Sequence, residues 1–260
     1  MAELVFLGTG GAVGTAERDN TSYALSFGDS FLLVDCPGGA VAKMRRAGLD
    51  PLRMSSLLVT HVHPDHIYGL PSLIHSLFLS EGRIRIFGSE EAVRFCGRLL
   101  DLFDLRAPRI KMRVDLAALE PGRAFEPCRT VRTEAFRVPH SPASMGYHFF
   151  LDSGGREVVC SGDTPPHDEV RSRARGRDFL VHDCSAPSRF FETYPVLKTM
   201  HTSSLDLGRL AGEAGVRTLV PCHFFGEVDY PMSEVEAEIR QHFGGRLVMP
   251  VDFTAISLSD

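Results

Sequence analysis

The stretch Thr60–Leu70 reads THVHPDHIYGL and follows directly on the apolar run Ser56-Leu57-Leu58-Val59. A short apolar run of that kind reads as a buried strand, so the histidines sit where a strand gives way to a loop. Four ligand-type side chains, His61, His63, Asp65 and His66, fall within six residues there. Neutral imidazoles and carboxylates are the donors that a borderline cation such as Zn²⁺ prefers. Alternate residues of an extended segment share a face, so His61 and His63 can reach one ion while the following pair reaches a second. A His-rich surface turn is the bland alternative, but such a turn has no reason to gather four donors at the mouth of a buried strand.

Outward from this loop the chain alternates short β runs with helical patterns. Upstream, residues 3–8, 21–27 and 30–36 read as strands, 39–47 as a helix and 55–60 as the strand feeding the loop. Downstream, Ile67, Leu70, Leu73, Ile74, Leu77 and Phe78 recur at three- and four-residue spacing, which predicts one helix over 67–79. A strand at 83–87 and a helix at 90–102 follow. The second half repeats the grammar, with strands at 130–138, 146–151, 157–161 and 178–182, a helix at 205–214, a strand at 218–221, a helix at 233–242 and closing β runs. Clustered strands with helices between them predict an α+β chain of two sheets packed face to face with helices outside, a four-layer αββα sandwich. No low-complexity linker divides it, so residues 1–260 are expected to form one domain.

Composition narrows the partners. The net charge is −5, whereas a protein gripping a long nucleic acid carries a basic footprint to displace counterions; nucleic acid is therefore possible but not favoured. Lys43, Arg45 and Arg46, and Arg171, Arg173, Arg175 and Arg177, are the local basic clusters, and each reads as a solvated helix face or loop. The six cysteines contain no CxxC pair and are expected as free, mostly buried thiols. No apolar run approaches the ~20 residues of a membrane span, and Leu4–Leu7 is too short for a signal-peptide core, so a cytoplasmic protein without a membrane partner is expected.

A two-ion site needs more than four donors, and further His and Asp residues sit at predicted strand ends: His140 after 130–138, Asp163 after 157–161, His223 after 218–221. Loops at strand ends are where functional groups are held. With these in place the chain resembles the metallo-β-lactamase superfamily, and within it the ribonuclease Z-like phosphodiesterase branch. The motifs LGTGGAVGT from Leu7, then Arg18 and Asn20-Thr21-Ser22, LLVDCPGG from Leu32, HVHPDHIYGLP from His61, PHSPASMGY from Pro139, SGDT from Ser161, HTS from His201 and the final His223 follow that branch in order over nearly the whole chain.

The resemblance implies the metallo-β-lactamase fold, with the metal site at one edge of the two sheets, and a two-zinc centre in which manganese can substitute. It implies one ion held by His61, His63, His140 and Asp163, and a second by Asp65, His66, His223 and Asp163, with Asp163 bridging. A water or hydroxide between the ions would be the nucleophile. By the same similarity His201 protonates the leaving oxygen, and Asp183 holds its imidazole in the right tautomer; with Asp65 these are the expected catalytic side chains. Asp183 departs from the branch, whose ribonucleases typically carry Glu in this neighbourhood. Thr202 and Ser203 are expected as hydroxyl donors near the phosphate. Phe190, Phe191 and Tyr194, and Phe224, Phe225 and Tyr230, flank the donors and offer a wall on which a base could stack; core packing or a dimer contact explains them equally well. Gly8–Gly14 is read as a turn beneath the site rather than a nucleotide-binding loop, because no helical pattern follows it. Asp35 is expected to orient a ligand loop.

The leading expectation is therefore a di-metal phosphodiesterase acting on small phosphodiesters such as cyclic nucleotides, as a homodimer. The alternatives are processing of transfer-RNA 3′ ends, hydrolysis of carboxylic, thio- or sulfate esters or lactones by the same metal pair, and nucleotide binding without turnover. Ribonucleases of the branch usually grip transfer RNA with a long arm, often between the positions matching His140 and Asp163. Only 22 residues separate those two here, which leaves no room for an arm unless one is carried elsewhere or lent by a partner subunit.

Overall fold

In the computed structural model, residues 2–152 and 154–258 are described. Strands β1 (Glu3–Gly8), β2 (Ser22–Ser26), β3 (Phe31–Val34), β4 (Met54–Leu58), β5 (Gly82–Gly88) and β6 (Met112–Ala118) form one sheet. Strands β7 (Ala124–Cys128), β8 (Val131–Arg137), β9 (Met145–Leu151), β10 (Glu157–Cys160), β11 (Phe179–Asp183), β12 (Thr218–Cys222) and β13 (Arg246–Leu247) form the other, and β14 (Ala255–Ser257) returns to pair with β1. Each sheet thus carries seven strands, in the orders β14-β1-β2-β3-β4-β5-β6 and β13-β12-β11-β10-β9-β8-β7.

The period-2 alternation of each strand explains the layering. Leu4 and Phe6 of β1, Leu32 and Val34 of β3 and Leu58 of β4 point inward to meet Tyr147, Phe149, Val158, Val181 and Val220 of the second sheet. Their neighbours Val5, Leu7, Leu33 and Leu57 point outward, against Met44 of α1 (Ala40–Arg46), Leu73 and Ile74 of α3 (Leu70–Ser76) and Leu100 of α4 (Glu90–Leu102); the four-residue α2 (Pro64–Ile67) precedes α3. On the far side Val159, Leu180 and Leu219 pack on α5 (Asp168–Ala174), α7 (Ser204–Ala214) and α8 (Met232–Arg240), while α6 (Ser188–Thr193) lies between α5 and α7 in sequence. Three apolar seams separate four layers, the expected αββα sandwich of the metallo-β-lactamase fold. Among the described residues no helix is long and apolar enough to cross a membrane.

The helix expected over 67–79 is in fact two. α2 stops before Gly69, whose backbone presses against the chain after β3: its N–H donates to Cys36 O at 3.0 Å, and a Cβ there would stand 2.0 Å from Pro37 O. Pro71, lacking an N–H, cannot continue the earlier ladder and instead opens α3. Two strands went unread as well. β6 and β7 are edge strands; β6 exposes Arg113 and half-exposes Asp115, and β7 contains Pro127, so neither offers the clean apolar alternation of a central strand.

Where the sheets meet, their backbones are tied together. Met145 N donates to Thr60 O at 2.9 Å, and the Tyr147 hydroxyl to Val59 O at 2.6 Å. The C-terminal end of β4 is thereby fixed beside β9, which brings the His-rich loop to the edge shared by both sheets.

Candidate metal centre

Each donor-bearing side chain follows the C-terminal end of a strand: His61 to His66 after β4, His140 after β8, Asp163 after β10, Asp183 at the end of β11 and His223 after β12. The loops converge. The donor atoms of His61, His63 and His140 lie within 4.8 Å of one another, and so do those of Asp65, His66, Asp163 and His223. Asp163 Oδ2 stands between the two groups, 3.0 Å from His223 Nε2, 3.2 Å from His66 Nε2, 3.8 Å from His61 Nε2 and 3.9 Å from His140 Nε2. The seven residues singled out in the sequence are all brought together.

Outer contacts turn the rings inward. The Thr60 hydroxyl donates to Asp35 Oδ2 at 2.7 Å and faces His61 Nδ1 at 3.0 Å, which leaves His61 Nε2 for the cluster. His66 Nδ1 meets Asp35 Oδ2 at 2.8 Å, and His140 Nδ1 meets Met200 O at 2.8 Å. Such contacts set the tautomer and orientation of a metal-binding imidazole. Asp35 and His223 both hold positive φ, 59° and 65°; non-glycine residues in that region cost about 1–3 kcal/mol each and cluster at functional sites.

A cation fits this set. His66 Nε2 and both ring nitrogens of His223 are buried with no well-aligned hydrogen bond, the two Nε2 atoms facing only the Asp163 and Asp65 carboxylates, and buried polar atoms left in this way suit a cation as their partner. The charge balance points the same way. Burial disfavours every charged form here, yet Asp163 lies well below the usual carboxylate range because it faces His223 and His66, and Asp65 is held down by the same two imidazoles. His66 is raised well above its usual value against the pull of burial, by Asp163 and Asp35, and His223 is pushed up to about 10 by Asp163. His61, buried among other imidazoles, is lowered instead. The carboxylates gather positive charge onto the rings beside them, the role that a bound cation takes over.

The cluster floors a cavity of about 490 Å³ lined by His63, Asp65, His140, Asp163, His201 and His223 below, and by Ala12, Tyr194, Leu197, Met200, Phe225 and Val228 around the mouth. His201 Nδ1 meets Asp183 Oδ2 at 2.9 Å. Asp183 is itself fully engaged, accepting from Thr164 N at 3.2 Å and from the Ser185 hydroxyl at 2.7 Å. The Gly8–Gly14 turn borders the cavity through Ala12 and leads to no helix.

Four expected substrate contacts separate here. Phe225 lines the cavity, 5.1 Å from the His201 ring, edge to face. Phe224 does not: the next residue of an extended segment points the other way, into the core against the second sheet's helices. Thr202 is buried and donates its hydroxyl to Thr164 O, and Ser203 caps α7, accepting from Asp206 N at 3.2 Å, so neither hydroxyl is free for a phosphate. Of the flanking aromatics, Tyr194 also reaches the cavity, whereas Phe191 is buried and Tyr230 hydrogen-bonds Ser185 O at 2.9 Å. Sequence reading missed the Thr60 relay and the Met200 carbonyl. The first had a signal, a hydroxyl directly before His61; a backbone carbonyl has none.

Comparison with known proteins agrees with this fold. The structure of the metallo-β-lactamase fold protein YhfI from Bacillus subtilis matches with a TM-score of 0.82 at 18% identity, covering 98% of both chains. Ribonuclease Z of Pyrococcus abyssi is 34% identical over 71% of this chain and 75% of its own length, and that of Methanosarcina mazei 29% identical over 86% and 87%. Fold, His/Asp cluster and relatives together define a metal-dependent hydrolase of the metallo-β-lactamase fold, ribonuclease Z-like in kind. Within that class residues 2–204 match the model described as anti-Pycsar protein Apyc1, and the chain belongs to that family.

Proposed function

We propose that this centre hydrolyses small phosphodiesters, 3′,5′-cyclic nucleotides among them, with two zinc ions for which manganese can substitute. The 22 residues between His140 and Asp163 carry the reading. They are taken up by β9, β10 and the turns beside them, where ribonucleases of the resembling branch often carry an RNA-gripping arm. A cavity of about 490 Å³ suits a small ligand, and a net charge of −5 gives no electrostatic grip on a long polyanion. We take residues 1–260 as one hydrolase domain, since both sheets contribute donors and β14 closes back on β1. The six free, buried cysteines fit a cytoplasmic setting.

In this reading His61, His63, His140 and Asp163 would hold one ion, and Asp65, His66, His223 and Asp163 would hold the other. Two such cations neutralise the phosphate and acidify the attacking water when bound. Asp65, a carboxylate on the cavity floor, orients that water by accepting its hydrogen bond. His201, with Nδ1 committed to Asp183, delivers a proton from Nε2 to the leaving oxygen. Phe225 and Tyr194 supply apolar faces on which a base can stack.

The relatives named ribonuclease Z favour a second reading, cleavage of precursor transfer RNA. The two are separated by comparing kcat/KM for precursor transfer RNA and for 3′,5′-cyclic nucleotides under the same metal and salt. A higher value for cyclic nucleotides is expected. Preference for the RNA, with cleavage after the discriminator nucleotide, would restore the ribonuclease; turnover confined to carboxylic or sulfate esters would remove both readings.

A further inference from the structure

The catalytic cavity has one carboxylate that neither the metal centre nor proton delivery uses. Its upper wall is largely apolar and includes Ala12, Tyr194, Leu197, Met200, Phe225 and Val228; among the described residues lining it, Glu227 supplies the one carboxylate outside the floor of His and Asp donors. Glu227 sits on the turn that follows β12 and His223. That turn is held at both ends. Phe224 N donates to Thr9 O at 3.0 Å and Phe225 N to Ser185 O at 2.8 Å, and the Tyr230 hydroxyl donates to the same Ser185 O at 2.9 Å. Between them Gly226 packs so close to the Gly-rich turn that a Cβ would stand 2.5 Å from Val13 O, so the backbone carrying Phe225 and Glu227 is fixed. No hydrogen bond or ion pair among the described residues occupies the Glu227 carboxylate. Arg18, which lines the adjoining hollow with it, is committed elsewhere, donating to the Thr9 hydroxyl at 2.6 Å and Pro250 O at 2.8 Å with its guanidinium 4.6 Å over the Phe224 ring.

We propose that Glu227 reads the base of the substrate and selects guanine, an inference that rests on the cyclic-nucleotide reading above. With the phosphate over the His/Asp floor, the base stands across the ribose from it, toward the mouth, where Phe225 offers a stacking face and Glu227 follows two residues on. A carboxylate only accepts hydrogen bonds, and its two oxygens lie side by side. The partner that matches it is an edge with two adjacent donors. Guanine has one, N1–H beside the N2 amino group. Adenine and cytosine each set an amino donor beside a ring-nitrogen acceptor, and uracil sets one N–H between two carbonyls, so each turns a lone pair toward a carboxylate oxygen. Apolar walls do not tell these bases apart, because every base has a face to stack; a polar group whose partner is missing or mismatched does.

The test compares kcat/KM of the zinc-loaded full chain for the 3′,5′-cyclic nucleotides of guanine, hypoxanthine, adenine, cytosine and uracil. Guanine should exceed adenine, cytosine and uracil by roughly 10-fold, toward the low end for a bidentate base contact because Glu227 is exposed. Hypoxanthine keeps N1–H and lacks the amino group, so it should fall between. Glu227→Gln should turn the preference toward adenine, whose amino group and N1 match the oxygen and NH₂ of an amide, and Glu227→Ala should level the bases; circular dichroism and zinc content check that both variants are intact. Equal kcat/KM for all bases in the wild type, or a guanine preference that survives both substitutions, overturns the proposal. Failure to turn over any cyclic nucleotide sinks the cyclic-nucleotide reading by itself. Glu227 is then judged by calorimetric Kd: guanosine 5′-monophosphate binding ~10-fold tighter than adenosine 5′-monophosphate, with the difference lost in Glu227→Gln, supports base reading, and equal Kd values overturn it.

Discussion

Asp183→Asn tests the proton-delivery reading of His201 with almost no change in shape. In the native arrangement Asp183 Oδ2 faces His201 Nδ1 at 2.9 Å. An amide oxygen in the same place can still accept from Nδ1 and from Thr164 N, and its NH₂ can turn to Ser185, so packing survives. What is lost is the negative charge opposite the imidazolium. At an effective dielectric of 20, unit charges ~4 Å apart attract by about 4 kcal/mol, an upper bound. Hydrogen bonds to charged groups contribute about 1.5–3 kcal/mol, which at 1.36 kcal/mol per tenfold amounts to roughly 10–10²-fold in rate. His201→Ala should cost more, ~10²–10⁴-fold. Because Asp183 is argued to act through His201, the double variant should be no worse than His201→Ala alone. The assay is kcat on aryl phosphodiesters of graded leaving-group pKa, with zinc content measured on every sample. Losses should be largest for poor leaving groups and shrink toward nitrophenolate, with zinc unchanged. His201 also lies within 4.8 Å of His140 and Asp163, and Asp183 Oδ1 is 3.9 Å from His223 Nδ1, so the competing idea is a structural role in holding metal. Losses equal across the leaving-group series, release of zinc, or additive effects in the double variant would refute proton delivery.

Asp163→Ala should lower metal content from about two ions per chain and abolish turnover, since its Oδ2 approaches donors of both groups; retention of two ions by elemental analysis would end its bridging role. Gly69→Ala should destabilise the fold by at least ~1–3 kcal/mol, the usual cost of overpacking, because the new Cβ would meet Pro37 O at 2.0 Å with no flexible side chain to move aside. Thermal unfolding measures it, and an unchanged Tm would show that the chain after β3 yields freely.

What the sequence disclosed and what it hid divide along a physical line. Central strands such as β4 and β12 are buried on both faces, so apolar runs mark them; edge strands β6 and β7 carry Arg113, Asp115 and Pro127 and leave no such mark. The break between α2 and α3 was hidden because periodicity continues across it. Ile67, Leu70, Leu73 and Ile74 all reach the same core, and only the approach of Pro37, 32 residues upstream, forbids a continuous helix. Local pattern reports which face is apolar, not what that face meets.

The same distinction governs the centre. Donor residues were legible because metal chemistry restricts residue type, and His61, His63, His66, His140, Asp163 and His223 have few common reasons to stand together at strand ends. Hydroxyl and aromatic contacts carry no such restriction. Thr202 and Ser203 are equally good as phosphate donors, as helix caps or as partners of a carbonyl, and the fold uses them for the last two. Phe224 and Phe225 are chemically identical, and one residue of register sends the first to the core and the second to the cavity. The loop after β4 shows the rule at its sharpest. In HVHPDH the histidines and aspartate announce the site they face, whereas Val62 and Pro64 between them are ordinary apolar residues until an apolar groove behind them is seen.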